Sequence, residues 1–209
     1  MRFGVLGPLE VRTEGGERVT IPGLKVRALL ADLLVHAGRV VSVDRLVEDL
    51  WGDDVPGNPA AAVQVRVSQL RKALEDAEPG ARDLIVSRAP GYVLDAPPGS
   101  IDADRFTALI APSDAAARER ADALAQALAL WRGPAFADFA DEEFTRAGIA
   151  RLEEQRLTAI EEHLEARLTL GEHAALVGEL GDLVGREEAV DAVGDLLCSG
   201  RLVTLTGSG

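Results

Sequence analysis

Between Pro59 and Glu75 the chain reads PAAAVQVRVSQLRKALE, and the spacing of four apolar residues within it constrains the fold more than any other feature. At 100° per residue Val63, Val67, Leu70 and Leu74 fall within about 60° of one another, one narrow core-facing stripe of a helix. The alternation of VQVRV, which alone would read as a half-buried strand, rests on Val65, and Val65 lies on the opposite side with Ser68 and Lys72 beside it. Gln64 and Arg71 flank one edge of the helix, Arg66 and Gln69 the other. Asn58 supplies an N-cap and Pro59 a first helical residue. The exposed side therefore carries cations, amides and one methyl-bearing residue, with no carboxylate before Glu75. Such a face suits the major groove of DNA, where Arg and Lys neutralise phosphates, Gln and Arg reach base edges and Val meets a thymine methyl. Taken alone, an ordinary solvated helix face fits equally well.

The neighbouring segments supply context. Phe3 to Val11 and Arg18 to Ile21 read as two short strands joined by the turn TEGGE. Val26, Leu29, Leu30, Leu33 and Leu34 form the stripe of a first helix that Gly38 ends. Ser42-Val-Asp44 opens a second, with Leu46, Val47, Leu50 and Trp51 on its apolar side. After the third helix, LIVSRAPGYVL reads as a hairpin with Arg88 near its turn. Strands, three helices and a hairpin, the third helix basic, compose a winged helix-turn-helix.

DAPPGS, from Asp95 to Ser100, is a Pro/Gly stretch that marks a domain boundary. Beyond it the pattern is Ala/Leu-rich and helical: Asp102 to Ile110, Asp114 to Trp131, and Glu142 to Leu170 with a break near Gly148, then another helix near Glu172. Antiparallel helix pairs of the solenoid kind are expected, without a clean repeat period. The final stretch turns to a loop, a helix and an apolar strand, Leu202 to Thr206, before Gly-Ser-Gly.

Charge is unevenly spread. Residues 1–98 carry 12 Lys+Arg against 14 Asp+Glu, while residues 99–209 have a net charge of −11, so nearly all of the chain's −13 belongs to its second half. The acidity of the whole chain therefore says little about what the first half can bind. One cysteine, Cys198, excludes a disulfide framework and points to a reducing, intracellular setting. His36, His163 and His173 are scattered, so no metal site is expected. The N-terminus MRFGVLGPLEV is broken by Gly and Pro and is not a signal peptide. No apolar run approaches the roughly 18 residues of a membrane span. A soluble cytoplasmic protein, without cofactor, is expected.

VQVRVSQLRKALE followed by LIVSRAPGYVL resembles the recognition helix and wing of the OmpR-type DNA-binding domain. FGVLGPLEV, LKVRALLADLLVHAGRVVS and RLVEDLWGDDVP narrow the resemblance to the SARP group, the Streptomyces antibiotic regulatory proteins. ALALWRGPAFADFADEEF and RLEEQRLTAIEEHLEARLTLGEHAALVGEL resemble that group's bacterial transcriptional activation domain. The fold implied is an α+β winged helix-turn-helix of the OmpR type at 1–96, followed by an all-α, TPR-like helical domain at 101–180. The resemblance places Val65, Arg66, Ser68, Gln69 and Arg71 at the DNA, and Arg88 as the wing contact, with Tyr92 supporting the wing; Lys72 joins them from the exposed helix face. It implies an activator of antibiotic or secondary-metabolite genes. Such an activator binds direct repeats in double-stranded promoter DNA as a homodimer and recruits RNA polymerase with its sigma factor. Where many OmpR-type relatives carry Arg-Arg before the Leu, this chain has Ser68-Gln69, which weakens the electrostatic grip.

LVGRE at Leu183 and the closing RLVTLTGSG resemble the start of a STAND-type P-loop ATPase domain, truncated here at 181–209 and preceded by an incomplete activation domain. A working P-loop needs a Lys after its last Gly, and none follows, so neither nucleotide binding nor enzymatic activity is expected. Two other readings compete with the DNA-binding regulator. One is a protein-interaction module worked by the acidic half; the other is a fragment of a STAND-type ATPase switch.

Overall fold

The computed structural model describes residues 1–176 apart from Asp114. The segment from Leu183 with its ATPase resemblance, Cys198 and the strand expected at Leu202 to Thr206 lie outside the described residues.

The chain opens with a hairpin, β1 (Arg2–Gly4) against β2 (Glu10–Arg12), in which Phe3 faces Val11. The single strand expected from Phe3 to Val11 is therefore two. Gly7, at φ 149°, and Pro8 stand in the connection, and the chain reverses there. The strand expected at Arg18 to Ile21 reduces to one bridge, Arg12 to Arg18, with Val19 N–H donating to the Val11 carbonyl. Val19 and Ile21 are nevertheless buried, so the apolar pattern reports packing rather than pairing.

Three helices follow: α1 (Leu24–Val35), α2 (Val43–Trp51) and α3 (Pro59–Ala77). The predicted Asn58 cap is formed, and Ser42 caps α2 as well. Ser42 Oγ accepts from Arg45 N–H at 3.2 Å and Asn58 Oδ1 accepts from Ala61 N–H at 3.2 Å. The stripe Val63, Val67, Leu70 and Leu74 is the buried side of α3, as its spacing demands. α1 is buried more completely than a one-sided stripe allows: Ala28, Ala31 and Asp32 are covered as well. A long helix of the second half, α6 (Glu143–Thr169), lies against it.

A three-stranded antiparallel sheet completes the first half. β3 (Val41–Ser42) and β4 (Ile85–Arg88) flank β5 (Gly91–Leu94), with Val41 opposite Tyr92 on one side and Ser87 opposite Tyr92 on the other. The turn of the β4–β5 hairpin is Ala89–Pro90, joined by a cis peptide.

The second half is helical: α4 (Asp102–Ile110), α5 (Ala117–Leu128) and α6, with α5 packed on both others. α5 is shorter than the expected Asp114 to Trp131. It begins only after Pro112 and Ser113, and past Leu128 the chain leaves the helix to run back against the N-terminal hairpin. α6 runs unbroken through Gly148. That glycine faces α1, where a Cβ would make an ordinary contact, 3.6 Å from Val35. Phe106 and Trp131 meet edge-on at 5.4 Å in the core of this half.

Candidate nucleic-acid interface

Burial by α1, α2 and the 3-10 turn Ala81–Leu84 fixes which side of α3 faces outward. Gln64, Val65, Ser68, Gln69 and Lys72 are exposed, Val65 at 51%. α3 stands between two flanks. On one side the strap from Arg18 to Val26 lines a crevice with Arg66, Gln69, Lys72 and Ala73. On the other, Arg82 and Tyr92 line a second crevice with Gln64, Ser68, Arg71 and Glu75. The predicted contact residues thus share one surface, with the β4–β5 hairpin beside it.

Their local partners differ. Arg66 Nη1 donates to Gln69 Oε1 at 2.9 Å, three residues on along the helix, which holds both side chains over one edge. Lys72 Nζ pairs with Asp76 at 2.7 Å. The stretch free of carboxylates therefore ends one turn after Lys72, and the i,i+4 spacing to Asp76 is the signal that reveals it. Both partners are largely exposed, at 75% and 61%, so this ion pair is weak and a phosphate can compete for the ammonium. Arg88, at the end of β4, is exposed and makes no ion pair among the described residues. It is the cation best placed to act from the wing.

Arg71 stands apart. Its Nε and Nη2 both donate to the Ile85 carbonyl, at 2.9 and 2.5 Å, and Nη2 also reaches Ser87 Oγ at 3.0 Å. Its guanidinium lies 6.0 Å from the ring centre of Tyr92. The sequence places Arg71 at a helix edge but gives no sign that β4 covers that edge; Ile85 and Ser87, 14 and 16 residues away, are the partners it misses. Tyr92 is buried, as the wing-support reading expects.

Gly91 precedes it for a steric reason. A Cβ at Gly91 would lie 1.8 Å from the Val41 carbonyl oxygen, so the pairing of β3 with β5 admits no side chain there.

A helix-turn-helix with its wing, followed by a group of packed helices, is the architecture of a winged-helix DNA-binding module joined to a helical domain. Residues 18–94 match the family described as "Transcriptional regulatory protein, C terminal", and residues 101–198 match "Bacterial transcriptional activator domain". The chain is 34% identical over 211 residues to the transcriptional regulator RedD of Streptomyces coelicolor, covering 96% of this chain and 59% of RedD. It is 35% identical over 196 residues to the regulatory protein DnrI of Streptomyces peucetius, covering 89% of this chain and 72% of DnrI. Among solved structures it is similar to Mycobacterium tuberculosis EmbR in complex with a low affinity phosphopeptide. The TM-score there is 0.79 at 35% identity, over 87% of this chain and 49% of EmbR. The chain belongs to the SARP family of transcriptional regulators. It spans little more than half the length of RedD and about half that of EmbR.

Among the described residues no helix is long and apolar enough to cross a membrane.

Proposed function

We propose that this chain binds promoter DNA by setting α3 in the major groove and the β4–β5 wing against the neighbouring backbone or minor groove, and so activates transcription. The observation that carries the reading is the pairing of two exposed features: the face of Val65, Ser68, Gln69 and Lys72 on α3, and Arg88 at the wing, which makes no ion pair among the described residues. Arg66, held by Gln69, extends that face. In this reading the amides and Arg66 address base edges, Val65 meets a thymine methyl, and Lys72 and Arg88 neutralise phosphates.

Membership of the SARP family, the Streptomyces antibiotic regulatory proteins, supports a role in antibiotic or secondary-metabolite gene control. Direct-repeat sites are occupied by two copies of the chain, and the helical half contributes to dimerisation and to recruiting RNA polymerase with its sigma factor. The acidic charge of the second half favours such protein contacts and keeps that half off the DNA.

Fluorescence anisotropy of the full chain on promoter-length duplexes, at several salt concentrations, tests the reading. The expected result is binding whose log affinity falls linearly with log salt and favours direct-repeat duplexes. Absence of duplex binding at low salt overturns it.

A further inference from the structure

Arg71 is the residue of α3 that the wing engages. Among the described residues no other α3 side chain hydrogen-bonds to β4 or β5. Its fork grips β4 at two points, the Ile85 carbonyl and the Ser87 hydroxyl, and its guanidinium carbon lies over the Tyr92 ring of β5. Tyr92 is itself the strand partner of both Ser87 and Val41, so the guanidinium bears on the residue that joins all three strands. Three donors in one plane make this contact. A lysine keeps the charge but cannot donate from two nitrogens to one carbonyl while its head lies over a ring.

The contact runs from Ile85 at the base of the wing to Ser87, and Arg88 stands at the end of the strand. Ile85 and Arg88 are three residues apart on β4, roughly 10 Å of strand. A rotation of about 10° at the base moves Arg88 by about 2 Å, enough to lose a phosphate or minor-groove contact made in register with α3.

We propose that Arg71 is a positioning residue: it clamps the wing to the recognition helix and sets the spacing between the major-groove face and Arg88, its contribution to DNA binding coming through Arg88. This rests on the DNA-binding reading above for its consequence, and on geometry alone for the clamp.

The experiment uses the full chain and a duplex selected on the wild-type protein from a randomised pool. Binding is measured for Arg71→Lys, Ser87→Ala, Arg88→Ala and the double variant Arg71→Lys/Arg88→Ala. Arg88→Ala alone is expected to cost about tenfold. Arg71→Lys is expected to cost a similar factor despite its retained charge, and in that background Arg88→Ala should cost less than twofold. Ser87→Ala should weaken binding in the same direction by a smaller factor. If Arg71→Lys binds within twofold of wild type, or if the two losses multiply, the clamp does not position Arg88 and the proposal fails.

A second arm needs no DNA. Tyr92 is the single tyrosine of the chain, so selective tyrosine labelling gives one set of ring resonances. Arg71→Lys should shift those resonances and speed amide exchange at Ser87 and Tyr92 by tenfold or more. An unchanged Tyr92 signal with unchanged exchange overturns the clamp whatever the binding data show. Wild-type protein that binds no duplex, with Tyr92 responding as expected, instead removes the DNA reading and leaves the clamp standing.

Discussion

At the scale of single residues the wing imposes two demands of different kinds. Gly91 meets a steric one: with the Val41 carbonyl oxygen 1.8 Å from where its Cβ would lie, Gly91→Ala must push β3 away from β5. That substitution is expected to cost about 1–3 kcal/mol, read as a lower urea midpoint with an unchanged slope. Arg88 meets an electrostatic one. Arg88→Ala should leave the urea midpoint alone and lower the log–log salt slope of duplex binding by about one. A slope that stays the same would place Arg88 away from phosphate. Much of this was legible in the chain as letters. The buried stripe of α3, its Asn58 cap and the outward turn of Val65 follow from helical period and capping chemistry alone. The glycine and tyrosine of the wing came through family resemblance, because the steric cause lies in Val41, a residue some 50 positions earlier that no local pattern connects to them.

At the scale of elements the contact between α1 and α2 holds a group of charges that periodicity hides. On the wheel of α1, Asp32 lies away from the Val26, Leu29 and Leu33 stripe and would be solvated; the structure buries it completely, and among the described residues its Oδ2 meets no hydrogen-bond donor. His36 Nδ1 sits 3.0 Å from Asp32 Oδ1, and on α2 Arg45 Nε donates to Asp49 at 3.2 Å. Burial, then the charge of Asp32, pushes the Asp49 carboxyl up to about 6. His36 is raised above its usual 6.5 by its hydrogen bond to Asp32, against its burial. For both groups the folded state binds protons more tightly than the unfolded chain. The stability Asp49 contributes is whole below about pH 4 and lost as pH rises to about 6; that of His36 is whole below 6.5 and lost as pH climbs through its raised value. Asp49→Asn mimics the protonated acid. The wild-type minus Asp49→Asn stability difference, from urea titrations at successive pH values, should therefore fall between pH 4 and 6 and level off above. A flat difference would mean that Asp49 ionises as freely as in the unfolded chain. Taking the difference removes the opposite slope of Glu14, Glu78 and Glu172, whose ordinary values are lowered, chiefly by hydrogen bonds.

At the scale of the whole molecule, Pro and Gly between Asp95 and Ser100 suggest a spacer, yet the chain there is fastened on both sides. Phe3 N–H donates to the Ser100 carbonyl at 2.8 Å and Phe3 bridges Ile101. Asp102, legible only as the start of a helix, accepts from Val5 N–H at 2.8 Å and Leu6 N–H at 3.2 Å and pairs with Arg132 at 3.2 Å. Arg132 and Phe136 return backbone bonds to Leu6 and Val5, and Asp138 accepts from Leu9 N–H and Arg27. One apolar cluster runs from Phe3 and Leu6 through α1 to Phe136, Phe144 and Leu152. Composition marks where a linker can be, whereas whether the flanking surfaces adhere depends on contacts between residues about 100 positions apart, which no window of sequence displays. Two consequences follow from the shared core. Asp102→Ala strands two backbone donors and should destabilise the entire chain by about 2–4 kcal/mol in denaturant titration. The two halves should also unfold together. The chain has two tryptophans, Trp51 on α2 and Trp131 beside Phe106, one in each half. Trp131→Phe leaves a probe of the winged half and Trp51→Phe a probe of the helical half. Each variant's fluorescence transition in urea should coincide with its own far-ultraviolet circular dichroism transition, because neither half can lose its core without exposing the other's. In Trp131→Phe, fluorescence and dichroism midpoints that separate would show the winged half unfolding on its own, and the helical domain would then be a tethered neighbour of the DNA-binding module and not part of its fold.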